Sequence, residues 1–160
     1  MDPFEAAYNR ALRFLSYRQR SEKEVSDHLL NKFPRSKRTA VDPQIVDNVI
    51  VKLKGLGFIN DEEFGRMWIE SRNRSKPRSK RLLRLELKQK GITEEIIDRL
   101  TTDGQRQSTD LELARKIVSK KISKLGNLDK QKIYKKLGGM LARRGFDWET
   151  IKRVIDEMLR

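Results

Sequence analysis

The sequence predicts an all-α protein built as an elongated, curved tandem array of three three-helix repeats. Apolar residues follow a period near 3.6 almost throughout, as in amphipathic helices, and alternating β-branched runs are absent. One sequence motif also occurs twice, at residues 87–92 and, 54 residues later, at residues 141–146. Residues 29–33 form a weaker copy of it. Self-similarity at a period near 55 indicates stacked small units, which favours binding over catalysis in a central pocket.

Local capping signals place three helices in each repeat. Ser21 to Glu24 and Thr109 to Glu112 are capping boxes, in which the cap hydroxyl and the carboxylate satisfy free N–H groups at a helix start. Gly138-Gly139 is expected to interrupt the eighth helix, at a cost of about 1 kcal/mol each against alanine. The predicted helices span 4–17, 21–32, 42–57, 60–76, 79–90, 93–101 and 109–125, with two more starting at 129 and 147, and the repeats span 1–58, 59–103 and 104–160. Connectors are predicted at 34–41 and 102–108.

Composition argues against several functional classes. The chain has no cysteine and one histidine, His28, so the usual zinc sets are missing and His28 is predicted to lie at the core edge or the surface. Phosphate-cradling glycine motifs are absent, as are membrane-length apolar runs and a signal peptide at Met1 to Glu5. We therefore expect a cytoplasmic protein that is not an enzyme and needs no metal or cofactor.

The net charge of +14 is concentrated in two blocks. Residues 66–90 hold ten Lys/Arg against two acids, and residues 115–136 hold nine against one. Lys80, Arg84 and Lys88 repeat at four-residue spacing, which aligns them on one helix face, and a second ridge is predicted further along the chain. Such ridges suit phosphates or an acidic protein surface, although a plain solvated face remains the alternative. The candidate contact residues are Arg72, Arg74, Lys80, Arg81, Arg84, Lys88, Lys116, Lys120, Lys124, Lys132, Arg143 and Arg144.

Two features of the sequence could contact nucleic acid. A helix-turn-helix around Gly91 would present Glu94, Glu95 and Asp98 to the major groove, and these acids repel phosphates. Sequence-specific reading is therefore disfavoured. Trp68 is predicted to pack in the core, whereas Trp148 fits a core edge and a partner contact about equally.

Four ordered segments resemble the RecX regulatory proteins, and the likeness covers nearly the whole chain. The segments are Leu12, Leu15, Arg18, Arg20-Ser21-Glu22 and Val25; Gly57 to Phe64, similar to "G-x-hydrophobic-x-D-(D/E)-x-F"; Glu86 to Ile92, similar to "E-L-x-x-K-G-I"; and Leu141 to Phe146, similar to "L-x-R-R-G-F". The sequence departs from the pattern at Phe33-Pro34, where Lys-Gly is common, and at Gly65, where alanine is usual.

The resemblance implies a regulator of RecA recombinase. RecX proteins are tandem three-helix repeats that bind the RecA–DNA filament in its groove, suppress its ATPase and strand exchange, and limit filament growth. The expected partners are the RecA filament and single- or double-stranded DNA within it, bound by a monomer without a membrane. The alternative is a nonspecific nucleic-acid-binding helical protein that does not need RecA. A scaffold repeat for another acidic protein is a more remote possibility.

Overall fold

The computed structural model describes residues 1–32, 39–102 and 109–160, and over these ranges the protein is all-α. The nine α-helices in these ranges are α1 (Pro3–Tyr17), α2 (Glu22–Leu30), α3 (Pro43–Gly55), α4 (Asp61–Ser75), α5 (Lys80–Gln89), α6 (Glu94–Thr102), α7 (Asp110–Ile122), α8 (Lys130–Arg143) and α9 (Trp148–Met158). Most of both predicted connectors, 34–41 and 102–108, lies outside the described residues. No helix in the described ranges has the length and apolar character that a bilayer crossing requires.

The helix starts follow from the capping residues that the sequence displays. Both predicted capping boxes form, with the side chains of Ser21 and Thr109 accepting from the third helical N–H and the glutamates bonding back. Asp42, Asp129 and Asp147 likewise accept from N–H groups of the first turns that follow them. Because these bonds satisfy donors that have no partner inside the helix, they fix where each helix begins.

Two helix details differ from the sequence prediction. Helix α2 ends at Leu30 because Asn31 adopts a left-handed conformation with φ of 53° and donates its N–H to two α2 carbonyls. The predicted stop at Phe33-Pro34 lies outside the described residues. Helix α8 also runs through Gly138-Gly139 without interruption. The buried Leu137 and Leu141 flank the pair, and their burial outweighs the low helix propensity of two glycines.

The described chain forms two compact units, which we call unit 1 (residues 1–67 and 87–97) and unit 2 (68–86 and 98–160). The core of unit 1 gathers side chains from α1, α2 and α3: Ala7, Ala11, Val25, Leu29, Val46, Val49, Ile50, Leu53 and Ile59. The core of unit 2 gathers side chains from α7, α8 and α9: Ala114, Ile117, Val118, Ile133, Leu137, Leu141, Phe146, Ile151, Val154 and Ile155. Each core is small and contains chiefly aliphatic residues, as the low apolar content requires.

Within unit 1, the start of α2 is held by two polar contacts with distant parts of the chain. The hydroxyl of Ser21 donates to the carbonyl of Lys90 at 2.7 Å, and the N–H of Glu22 donates to the Asp61 carboxylate at 2.8 Å. Gly91 follows with φ of 81°, and a Cβ there would lie 2.5 Å from the Cβ of Lys23. The turn can approach α2 this closely only because residue 91 has no side chain.

Within unit 2, the same junction is built a second time at the start of α5. The Ser79 hydroxyl donates to the carbonyl of Gly145 at 2.7 Å, and the N–H of Lys80 donates to the Asp110 carboxylate at 3.0 Å. Gly145 has φ of 87°, and a Cβ there would lie 2.5 Å from the Cβ of Leu82. The repeated motif in the sequence is therefore a docking turn: its glycine seats against the capped start of another helix.

The unit 1 junction predicts a specific pH dependence of stability. Burial raises the pKa of Glu24, but hydrogen bonds from Arg18, Lys90 and the Ser21 N–H outweigh it and lower the pKa from 4.5 to about 2. Because the folded state binds the proton less tightly than the unfolded state, this stabilisation is complete above pH 5 and is lost as the pH falls towards 2. Glu24→Gln should lower the free energy of unfolding by about 2 kcal/mol at pH 7, after allowance for solvent screening.

Urea unfolding followed by far-UV circular dichroism at pH 7, 4 and 2.5 tests this dependence. The difference between Glu24→Gln and the unmodified chain should shrink steadily with acidification. Glu95→Gln, at an exposed residue of α6, is the control and should change stability little at any pH. A Glu24→Gln deficit that stays constant from pH 7 to pH 2.5 would contradict the charged network.

Candidate functional site

The predicted basic ridge on α5 is largely paired with acids of α6. Arg84 forms an ion pair with Asp98 at 2.8 Å and also donates to the Thr101 hydroxyl. Lys88 pairs with Glu94. Opposite charges at contact distance cancel much of each other's field at long range, so the ridge presents less positive potential than its sequence indicates. The net charge of the block therefore overstates the positive potential that a partner meets on this face.

Arg72 belongs to a cluster that the sequence did not predict. Its Nε lies 3.3 Å from a carboxylate oxygen of Glu86, and its guanidinium lies over the Trp68 ring at 4.5 Å. The Trp68 indole N–H donates to the same oxygen at 2.9 Å, and Arg78 approaches the other oxygen at 2.6 Å. Trp68 is thus half-buried at this cluster rather than packed inside the core, because its N–H takes a charged acceptor.

Three further candidates surround these groups with differing exposure. Arg74 is exposed and pairs with Glu70 at 3.6 Å. Arg81 lies 3.4 Å from the carbonyl of Gly145. Arg144 is half-buried, and burial together with the nearby charge of Arg78 lowers its pKa. Arg74 and Arg81 are both exposed, and Arg74 already has an acidic neighbour.

The cations of α7 and α8 have fewer acidic partners. Lys116 and Lys120 are exposed, and neither forms an ion pair within the described ranges. Lys132 lies at the outer limit of an ion pair, 4.0 Å from Asp129. Lys124 departs from the prediction, because α7 ends at Ile122 and Lys124 lies in a 3₁₀ turn (Ser123–Leu125). The expected ridge of three lysines on one continuous α-helical face is therefore wrong at its last position.

A groove in unit 2 brings two of the predicted residues together, Lys124 and Arg143. It lies between the end of α7, its 3₁₀ turn and the outer side of α8, with a volume of about 680 Å³. We call it the basic groove; its lining is Lys121, Lys124, Leu125, Lys135, Lys136, Leu137, Met140 and Arg143. The sequence prediction omitted Lys121, Lys135 and Lys136. The dipeptides Lys120-Lys121 and Lys135-Lys136 could have indicated these residues, but the direction in which their side chains point depends on how two helices pack.

The histidine of the chain, His28, packs against neighbouring side chains. His28 stacks on Phe14 at 3.9 Å with the rings within 3° of parallel, and Arg20 lies against the same phenyl ring. Among the described residues, no group of His, Cys, Asp or Glu is arranged to hold a metal ion. Trp148 is 63% exposed and lies 6.0 Å from the ring of Tyr134, which is half-buried and packs on the unit 2 core.

Comparisons with known proteins assign the family. Three sequence profiles match in order: RecX first three-helix domain at 7–53, second at 60–100 and third at 108–155. The chain is 36% identical to a regulatory protein RecX of Chlorobium phaeobacteroides (strain BS1), over 96% of this chain and 94% of that protein. This chain belongs to the RecX family. It is also 32% identical to a regulatory protein RecX of Amycolatopsis mediterranei (strain U-32), over 91% of this chain and 79% of that protein.

A solved RecX structure confirms the fold. The crystal structure of RecX from Lactobacillus salivarius matches with a TM-score of 0.73 at 23% identity, covering 98% of this chain and 96% of that one. The segments that carry the RecX resemblance are structural in this chain: Ile59, Phe64, Leu87, Ile92, Leu141 and Phe146 are buried. Lys88, Arg143 and Arg144 lie within these segments, so the family motifs combine buried structural positions with candidate contact residues.

Proposed function

We propose that this chain is a regulator of RecA recombinase. It binds the RecA–DNA filament in its groove and inhibits ATP hydrolysis and strand exchange, and it thereby modulates DNA repair and recombination. The observation that carries the proposal is membership of the regulatory RecX family across all three domains. We further propose that it acts in the cytoplasm as a monomer, without catalysis of its own, through repeats at 1–58, 59–103 and 104–160.

The distribution of unpaired cations refines where the filament would be contacted. Lys116, Lys120 and Lys124 have no acidic partner within the described ranges, whereas Arg84 and Lys88 do. A lysine without an acidic partner can neutralise a phosphate or a carboxylate of the filament without first breaking an ion pair. We therefore expect Lys116, Lys120 and Lys124 to contribute more to inhibition than the α5 ridge.

A RecA ATPase assay on single-stranded DNA tests this ranking with two triple variants. Lys116/Lys120/Lys124→Ala should raise the concentration needed for half-inhibition by on the order of tenfold at moderate salt. Lys80/Arg84/Lys88→Ala carries the same charge change and serves as the comparison, with a smaller expected loss. Unchanged inhibition by the α5 variant would remove that ridge as a contact site, and unchanged inhibition by both would reject the cation hypothesis.

The second candidate is nonspecific nucleic-acid binding that does not involve RecA. The exposed ring of Trp148 favours it, since base stacking on aromatic rings is sequence-tolerant. Binding to bare DNA across a salt series, set beside pull-down with preformed RecA filaments and with free RecA, separates the two. A steep salt dependence on bare DNA with no preference for filaments would favour this candidate.

A further inference from the structure

The basic groove carries a positive charge that the described protein does not neutralise. Five of its eight lining residues are cations and none is an acid. The five are exposed, and none forms an ion pair with a carboxylate in the described part of the chain. On the α5 face, by contrast, acids of α6 form ion pairs with Arg84 and Lys88. A concave surface lined by one sign of charge concentrates oppositely charged ligands, so the groove favours an anionic partner.

The floor of the basic groove is apolar. Leu137 is buried, whereas Leu125 and Met140 are half-buried and pack on the unit 2 core from the groove side. Leucine and methionine side chains that line a cleft accept apolar groups from a ligand, and methionine adapts readily to different shapes. The groove therefore offers two kinds of contact at once, charge along its rim and apolar surface below.

This combination discriminates between two classes of anionic macromolecule. A nucleic acid strand would satisfy the lysines through its phosphates, but its bases gain most from aromatic stacking, and none of the described residues that line the groove is aromatic. An amphipathic helix with acidic residues beside an apolar stripe satisfies both the rim and the floor. Helix-in-groove recognition uses such a stripe, with anchors three or four residues apart.

We propose that the basic groove is a docking site for an acidic amphipathic helical segment of a protein partner. Apolar anchors of the segment lie on Leu125 and Met140, above the buried Leu137, and its carboxylates face the lysines of the rim. The volume of about 680 Å³ falls within the range of specific ligand pockets. The proposal goes beyond the filament function proposed above, because it assigns the groove a helical peptide as its occupant; the groove shares Lys124 and Arg143 with the candidate filament contacts.

The test is a fluorescence anisotropy titration of the full chain with a labelled synthetic peptide. The probe is a helical peptide of about 18 residues, some five turns, with leucines on one face and glutamates on the other. The unmodified chain should bind it more tightly, by about tenfold, than a scrambled peptide of the same composition, because only the amphipathic order engages the floor. This comparison needs no variant, so it does not depend on the folding of one.

Two variants then locate the site. Lys124→Glu/Lys136→Glu should weaken peptide binding by about tenfold or more through the rim. Met140→Gln should weaken it severalfold with no change of net charge. Lys130→Glu/Lys152→Glu is the matched control, since both lysines are exposed and outside the groove lining, and it should retain binding within about twofold.

Three outcomes would overturn the proposal. Equal binding of the ordered and scrambled peptides would show that the groove recognises only the charge of the peptide. Equal weakening by the rim and control variants would show that the groove has no special role. Displacement of the peptide by an oligothymidine, together with full binding by Met140→Gln, would make the groove a general polyanion surface.

Discussion

Gly145→Ala should destabilise unit 2 by roughly 3 kcal/mol, because it combines two costs at one position. The residue has φ of 87°, a conformation that costs an L-residue about 1–2 kcal/mol. A Cβ there would also lie 2.5 Å from both the Leu82 Cβ and the Ser79 hydroxyl oxygen. The Leu82 Cβ is fixed to the α5 backbone, and the Ser79 hydroxyl is held by its hydrogen bond to the Gly145 carbonyl. The turn must therefore move away from α5, which weakens that bond.

Urea unfolding followed by tryptophan fluorescence measures this loss directly, because both tryptophans, Trp68 and Trp148, belong to unit 2. Gly126→Ala is the control without strain or crowding: its φ is −58°, and a Cβ there meets only an atom at 3.8 Å. It should be neutral or slightly stabilising. A loss for Gly145→Ala as small as that for Gly126→Ala would disprove the docking turn.

Gly57→Ala separates strain from crowding. Gly57 has φ of 79°, but nothing lies within 4 Å of where its Cβ would be. Its alanine variant should therefore cost only the conformational part, about 1 kcal/mol, measured by far-UV circular dichroism because unit 1 has no tryptophan. If the Gly57 and Gly145 variants lose equally, the close approach to α5 contributes nothing.

The helix starts could be predicted because each cap is a local event. The Ser21 hydroxyl and the Glu24 carboxylate lie three residues apart, so the sequence alone brings them together. The contact of Ser21 with Lys90 spans 69 residues, and nothing local specifies it. Self-similarity did place Gly91 and Gly145 in the same role, but it did not show what their missing side chains make room for.

The candidate site was harder to predict because charge counts do not reveal pairing. Arg84 and Asp98 belong to different helices, and their ion pair depends on how α5 and α6 pack. In the basic groove, helix packing has the opposite effect. Lys121 and Lys136 come from separate segments, and packing brings them to one cleft without an acid between them. The net charge of the two sequence blocks does not distinguish these faces. A partner would meet a largely neutralised surface on α5 and an unneutralised one at the basic groove.

Glu86→Gln should destabilise unit 2 by about 3 kcal/mol, because one carboxylate serves two guanidinium groups and an indole. The Glu86 side chain is 14% exposed, and those of Arg78 and Arg72 are 20% and 29% exposed. Glutamine keeps the shape and one acceptor but removes the charge, so two poorly solvated cations lose their counter-ion. Breaking a buried pair on one side typically costs about 3–5 kcal/mol, and partial exposure places the expected loss at the lower end.

Glu70→Gln provides the matched control for the same chemical change. Glu70 pairs with Arg74 at 3.6 Å, and the two side chains are 63% and 74% exposed, so its loss should stay within about 0.5 kcal/mol. Unfolding monitored by tryptophan fluorescence compares the two variants. Equal losses would mean that burial does not strengthen the Glu86 cluster.

The double variant Arg78→Gln/Glu86→Gln distinguishes an unbalanced charge from lost packing. Removing Arg78 as well leaves Arg72 as the one remaining cation of the pair set, and it relieves Arg144, whose pKa the charge of Arg78 lowers further after burial. The double variant should therefore be more stable than the sum of the single losses predicts, with a coupling of about 1 kcal/mol or more. Strict additivity would show that Arg78 and Glu86 do not stabilise each other through their charges.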